Sequence, residues 1–277
     1  MRRLTIILFS MILLAACQKN VVVDSAQEAL MTYTLRPDVQ FEVKSGESTT
    51  AGSASQINVL WYGVYHKKAE GGYVYMSDMS AFVKVQNAAD IKVPITLIQN
   101  QEYRIVFVAQ HRLTPQDADH IYMYNVDEQT GVMTRNTAAA ITSGEQLDAF
   151  VYVDEVGPVN GSHSKSITLH RPVAQINIAT SQTPLPSDID ITLSNVSASY
   201  NIFDRTFSTE TTTLTFNDIA PTGQTVTVNS IDYTGLTTLY VLGGNNIDMQ
   251  ITYNDNTKTI NNIAIAENYK TNIVGNI

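Results

Sequence analysis

The chain has 277 residues, of which 44% are apolar and only 16% charged, and its formal net charge is −9. That apolar share can bury a core, while the charge content lies well below the roughly 25% of an average soluble domain. The acidic balance repels phosphate backbones, and no basic run with interleaved aromatics offsets it, so nucleic acid is excluded as an expected partner.

The first element is a leader. Met1-Arg2-Arg3 is basic, Leu4 to Leu14 is an uncharged apolar run, and Ala15, Ala16 and Cys17 follow. Basic, apolar, small and cut is the order of a secretory signal. The 13 residues from Leu4 to Ala16 make a helix of about 20 Å, short of the roughly 30 Å that a bilayer core requires. Arg2 and Arg3 lie in this leader, so the rest of the chain carries −11. Leu14-Ala15-Ala16-Cys17 resembles the lipobox of bacterial lipoproteins. That resemblance implies cleavage after Ala16 and a diacylglyceryl thioether on Cys17. Cys17 is the only cysteine, which rules out a disulfide within the chain. Each buried acyl methylene adds about 0.8 kcal/mol, so two or three chains give a durable membrane anchor. Gln18, where inner-membrane lipoproteins carry Asp, implies the outer membrane. Asn20 to Gln27 reads as a tether, and within it Asp24-Ser25-Ala26 resembles an O-glycosylation acceptor, with Ser25 modified.

From about residue 28 alternation takes over. In Leu30 to Leu35, Met31, Tyr33 and Leu35 share one face and alternate with Thr32 and Thr34, the pattern of a strand plugging an apolar core. Residues 59–65 (VLWYGVY), 103–109 (YRIVFVA) and 150–153 (FVYV) are apolar on both faces and read as central strands. Short helical pieces are expected at Pro115–His120 and Ser143–Asp148. Asn160-Gly161 is expected to turn a hairpin, as are Gly243 to Asn246 and Asn254 to Asn256. Period-two alternation recurs in Ala174, Ile176 and Ile178, in Leu214 and Phe216, and in Met249, Ile251 and Tyr253. Ser181 to Ser187 carries two prolines and interrupts it. The fold class expected is all-β, with two β-sandwich domains in tandem. The divisions are a leader at 1–16, a lipidated tether at 17–27, an N-terminal sandwich at 28–180 and a C-terminal sandwich at 188–277.

Chemistry-bearing motifs are few. The sequence holds no phosphate loop, dinucleotide fingerprint, nucleophile elbow, HExxH or CxxC, and no cofactor or metal is implied. His111 and His120 flank the first helical piece, but a spacing of nine has no privileged ligand geometry. Asp117, Asp119, Asp127 and Glu128 form an acidic region, and Asp188, Asp190 and Asn254 to Asn256 offer further oxygens, without a calcium-loop pattern. Trp61, Tyr62 and Tyr65 would form a sugar platform if exposed, and core if buried. Tyr73 with Tyr75, and Tyr122 with Tyr124, would each share a face and make an adhesive patch if exposed.

Four segments in order, INVLWYGVYHK (57–67), EYRIVFVAQ (102–110), LHRPVAQINI (169–178) and ENYKTNIVGNI (267–277), resemble the fimbrillin-type, Mfa-like surface lipoproteins of Bacteroidota. The likeness spans nearly the whole chain. It implies transthyretin-like (immunoglobulin-like) sandwiches and a non-catalytic role as a fimbrial accessory or anchor subunit or adhesin. The implied partners are outer-membrane lipid through the acylated Cys17, other pilus subunits, and host or bacterial surface ligands. In polymerising members a protease removes the first strand after a basic residue, and a strand of the next subunit replaces it. Here Arg36 follows that strand but precedes Pro37, Lys44 is the other basic candidate, and the chain closes at Ile277 straight after its final strand. These departures favour an anchor, accessory or stand-alone protein over a shaft subunit. A surface glycan-binding module is the alternative, and a β-sandwich hydrolase the third reading.

Overall fold

A computed structural model describes residues 27–41, 54–113, 121–139, 141, 143–186, 188–254 and 256–276. Cys17, Ala16, Ser25, Lys44, His120 and the expected helical piece at 115–120 lie outside the described residues. The described residues form strands β1 to β21 and one 3-10 turn, and no helix among them is long and apolar enough to cross a membrane.

The N-terminal sandwich pairs a three-stranded sheet with a four-stranded one. The first has the order β11 (His163–Leu169), β1 (Glu28–Pro37), β4 (Ile91–Ile98). The second runs β10 (Ala149–Val156), β5 (Tyr103–Gln110), β2 (Val59–Lys67), β3 (Tyr73–Lys84). Strand β4 alternates strictly, with Ile91, Val93, Ile95 and Leu97 buried and Lys92, Pro94, Thr96 and Ile98 exposed. That is how a sheet with one wet face should read. Strands β2 and β5 are apolar on both faces because both faces are covered. Leu60, Val64, Ile105 and Phe107 point into this sandwich, while Trp61, Tyr65, Val106 and Val108 point out of it into a second core.

The C-terminal sandwich has two four-stranded sheets. One is β17 (Thr225–Val228), β18 (Ile231–Leu242), β12 (Val173–Thr180), β21 (Lys270–Gly275). The other is β16 (Thr211–Ile219), β13 (Ile189–Ser197), β19 (Ile247–Tyr253), β20 (Asn256–Ile263). A third small sheet, β15 (Thr206–Phe207), β14 (Ser199–Asn201), β9 (Val132–Arg135), β8 (Tyr124–Val126), joins strands from both halves. A two-stranded ribbon, β6 (Arg112–Leu113) with β7 (Ile121–Tyr122), completes the set.

Three expectations change. Strand β12 is buried along its whole length and pairs with β18 and β21. The sheets therefore change hands at His170–Pro172, and the proline-containing stretch at 181–187 falls within the run that builds the C-terminal sandwich. Asn160-Gly161 and Gly243 to Asn246 are corners between sheets, since β10 and β11, and likewise β18 and β19, belong to different sheets. Gly244 has φ +113° and lies so close to the Phe207 ring that a Cβ would clash, which is what a corner over packed aromatics demands. Of the three expected hairpins, the one at Asn254 to Asn256 forms, between β19 and β20. The second helical piece is present as the turn Gly144–Leu147, capped by Ser143 with Gln146 closing the box.

Candidate functional site: the first strand and its socket

Strand β1 lies in the middle of its sheet. It runs antiparallel to β4, with Met31, Tyr33 and Leu35 opposite Ile95, Val93 and Ile91. It runs parallel to β11, with Leu35 opposite Ile167. Ala29, Met31, Tyr33 and Leu35 are each no more than 1% exposed, whereas Leu30 on the opposite face is 46% exposed. Met31, Tyr33 and Leu35 thus lie in the core of the N-terminal sandwich. The Tyr33 ring lies 5.0 Å from that of Phe107 across the sandwich. Burying side chains of this size contributes roughly 1.5–3 kcal/mol each. Together they approach the entire net stability of about 5–15 kcal/mol typical of a domain.

A polar latch lies under the plug. The Tyr33 hydroxyl donates to Asp154 Oδ2 at 2.9 Å, and Lys165 Nζ donates to Asp154 Oδ1 at 2.6 Å. Burial, reinforced by the Asp154 carboxylate, pushes the Tyr33 hydroxyl up, so it stays protonated and donates. Asp154 comes from β10 and Lys165 from β11, so the latch ties β1 to both sheets. At the strand ends, Gln99 N donates to Gln27 O at 2.7 Å and Asp38 N donates to Leu169 O at 2.8 Å. The Arg36–Pro37 bond lies inside the ladder, in register with Thr168 and Leu169.

A buried ion pair joins the two sandwiches. Arg171, fully buried, donates through Nε to Asp148 Oδ1 at 2.8 Å and through Nη2 to Oδ2 at 3.1 Å. It also donates through Nη1 to Asn268 at 3.0 Å and lies between the Phe41 and Phe150 rings, 3.9 and 4.6 Å from their centroids. Burial raises the Asp148 carboxyl to about 6, against the downward pull of Arg171. Neighbouring His170 is pushed down to about 4, by burial and then by Arg205.

The remaining candidates disperse. His66 meets Gln101 at 2.8 Å, His111 meets the Gln56 carbonyl at 2.7 Å, and His170 meets the Tyr200 hydroxyl at 3.2 Å, each a different neighbourhood. Asp127 accepts the Gln129 and Thr130 amides at 2.9 Å, capping a turn, and those bonds hold its carboxyl low. Asp190 accepts the Asp218 amide. Among the described residues no group of three His, Cys, Asp or Glu could hold a metal. Trp61 is 3% and Tyr65 2% exposed, so of the two alternatives for them, sugar platform or core, they take the core. Tyr124 is buried and donates to the Leu147 carbonyl, while Tyr122 stacks on Phe82 at 4.9 Å, so that pair does not form one patch. The latch and the Arg171 pair were missed in the sequence. Their signal was a charge at the end of an apolar strand, Asp154 after FVYV, and a charge just ahead of another strand, Arg171 before PVAQINI.

A family model described as a family of unknown function (DUF6562) matches residues 24–277. No curated protein matches. Among solved structures, the chain is similar to one from Bacteroides thetaiotaomicron VPI-5482 described as "a putative adhesin". That likeness has 11% identity, covers 87% of this chain and 81% of that chain, and reaches a TM-score of 0.50. It is also similar to the fimbrial anchor protein Mfa2 from Porphyromonas gingivalis, at 15% identity over 81% of this chain and 78% of that one, TM-score 0.43. A fimbrial assembly protein from Parabacteroides distasonis ATCC 8503 matches at 12% identity over 91% of both chains, TM-score 0.42. At these identities the likeness is one of fold.

Proposed function

The chain belongs to the family of unknown function DUF6562, and we propose that it serves as a non-catalytic cell-surface lipoprotein, an accessory or anchor subunit of a fimbrium, or an adhesin. The observation that carries this reading is β1. The first strand of the described residues completes the N-terminal core from a central position, the arrangement from which strand-addition assemblies are built. The latch from Tyr33 to Asp154 and Lys165, and the Arg36–Pro37 bond held within the ladder, favour a strand kept in place. They support an anchor, accessory or stand-alone role over a polymerising shaft. The fold shared with the Bacteroides structure described as "a putative adhesin" supports the same class of role.

In this reading Cys17 is acylated, Ala16 ends the signal peptide, and the tether through Ser25 leads from the outer membrane to the first sandwich. Radiolabelled palmitate should enter the wild-type chain and fail to enter Cys17→Ser. Immunogold microscopy of intact cells and sheared filaments tests the location. Label on surface filaments or at their bases is expected. Label that appears only after the outer membrane is permeabilised contradicts the assignment.

A further inference from the structure

A large cleft lies in the other sandwich. It measures about 1360 Å³ and opens between β16, β17, the segment from Arg135 to Glu145 and the flank of β18. This exceeds the roughly 300–1,000 Å³ of small-molecule sites.

Its walls are strand edges. Every residue from Thr212 to Ile219 on β16 lines it, as does every residue from Thr225 to Thr227 on β17 and Gln224 just before it. Side chains of a strand alternate between faces, so a cleft lined by one face would take every second residue. An unbroken run means that the backbone edge itself borders the cleft. Among the described residues, β16 pairs only with β13, and β17 only with β18. Along a strand paired on one side, alternate N–H and C=O groups point away from the partner. Among the described residues the cleft thus has two ladders without a mate, about 30 Å long on the nine-residue β16. The 3-10 turn lines it through Gly144 and Glu145, and Gly144 lies so near Thr238 that a Cβ would fall 1.5 Å from its carbonyl oxygen.

Side-chain chemistry distinguishes these two edges from the rest. The two sandwiches have eight edge strands among the described residues. Five carry a lysine: Lys92 in β4, Lys165 in β11, Lys84 in β3, Lys258 in β20 and Lys270 in β21. A sixth, β10, carries Asp154 and Glu155. Charges of this kind are how edges are kept from pairing with other chains. Strand β17 (TVTV) has none, and β16 (TTTLTFNDI) has only Asp218 near its end. The cleft is lined on its inner side by Leu214, Phe216 and Leu239, each no more than 9% exposed, and on its rim by the exposed hydroxyls of Thr213 and Thr215. The charged groups around it balance, Arg135 and Lys270 against Glu145 and Asp218.

We propose that this cleft is a strand-accepting groove, which takes an extended, uncharged segment of another polypeptide in which apolar and hydroxyl side chains alternate. Backbone pairing to β16 or β17 supplies affinity, and the apolar inner side sets which residues face inward. The groove is separate from the seat of β1 and would operate whether or not β1 ever leaves it.

The test uses the purified full chain and the neutral peptide acetyl-TVTVTVN-amide, joined to fluorescein through a Gly-Ser linker. Fluorescence anisotropy should give saturable binding, with hydrogen-exchange protection confined to β16 and β17. A version with proline at the central position loses an N–H and should bind at least tenfold more weakly. Thr213→Lys with Thr215→Lys, and Thr213→Glu with Thr215→Glu, alter exposed positions and should keep the wild-type melting temperature. Both pairs should weaken binding at least tenfold, which separates edge blocking from simple charge attraction. Absent saturable binding, equal affinity for the proline peptide, or undiminished binding by both double variants overturns the proposal. Displacement of the peptide by maltoheptaose also overturns it and assigns the cleft to a glycan.

Discussion

The two sandwiches are finished in different ways. In the N-terminal one, a strand from the start of the chain inserts between two strands from far along it, and the core closes beneath Met31, Tyr33 and Leu35. In the C-terminal one, both sheets end on edges without a neighbour among the described residues, β16 and β17, and a large cleft remains between them. The same kind of sheet chemistry therefore yields one unit sealed by its own chain and one left open. A strand is an integral part of the fold when its apolar face is buried and both its edges are paired. It is a docking edge when one of its two ladders has no partner, even with its apolar face buried, as Leu214 and Phe216 are on β16.

Removing β1 should break this contrast most severely. Deletion of residues 28–37 takes away the buried side chains of the plug and both ladders of a central strand. The N-terminal sandwich should lose its cooperative melting transition, measured by near-ultraviolet circular dichroism. Survival of that transition would mean that β4 and β11 close the core alone.

Breaking the joint between the sandwiches comes next. Arg171→Met leaves Asp148 buried without its partner and should cost about 3–5 kcal/mol in denaturant unfolding. Arg171→Met with Asp148→Leu should recover most of that loss, because no uncompensated charge remains.

Single positions on β1 sharpen the comparison further. Leu35→Ala should cost about 2–5 kcal/mol through the cavity it leaves, whereas Leu30→Ala, on the exposed face of the same strand, should stay within about 0.5 kcal/mol. Tyr33→Phe removes one hydrogen bond from buried Asp154 and should cost about 1–3 kcal/mol.

The smallest effect is on pH dependence. His170 has its folded pKa lowered from 6.5 to about 4. Its contribution is therefore complete above about 6.5 and is lost as pH falls through about 4. Asp148 has its folded pKa raised from 3.8 to about 6. Its contribution is complete below about 3.8 and is lost as pH rises through about 6. A tenfold change in proton affinity on folding is worth roughly 1.4 kcal/mol, so the two groups act with comparable strength. Between pH 4 and 6 their slopes oppose. His170→Gln should expose the Asp148 slope, with stability rising as pH is lowered from 6 to 4 in urea titrations.

The strands themselves were legible in the sequence because alternation records which face is wet. Met31, Tyr33 and Leu35 declared their burial through Thr32 and Thr34. The both-faces-apolar runs around Trp61 and Phe107 declared sheets covered on two sides. Pairing was not legible, since partners such as Leu35 and Ile167 lie far apart in the chain and nothing local encodes a parallel register. The same blindness turned sheet-crossing corners at Asn160-Gly161 and Gly243-Gly244 into expected hairpins, because a glycine turn looks alike whether the chain returns to its own sheet or leaves it. The cleft was invisible for a related reason. Its signature is the absence of a neighbour, and the only trace in the sequence is two Thr-rich strands without lysine.

Native-state hydrogen exchange on the intact chain tests the central contrast most directly. The account predicts that the amides of Met31 to Leu35 exchange only through global unfolding of the N-terminal sandwich, among the slowest in the molecule. Those along the free edges of β16 and β17 should exchange through local opening at far lower cost. Exchange of the β1 amides as fast as those of β16 and β17 would contradict it.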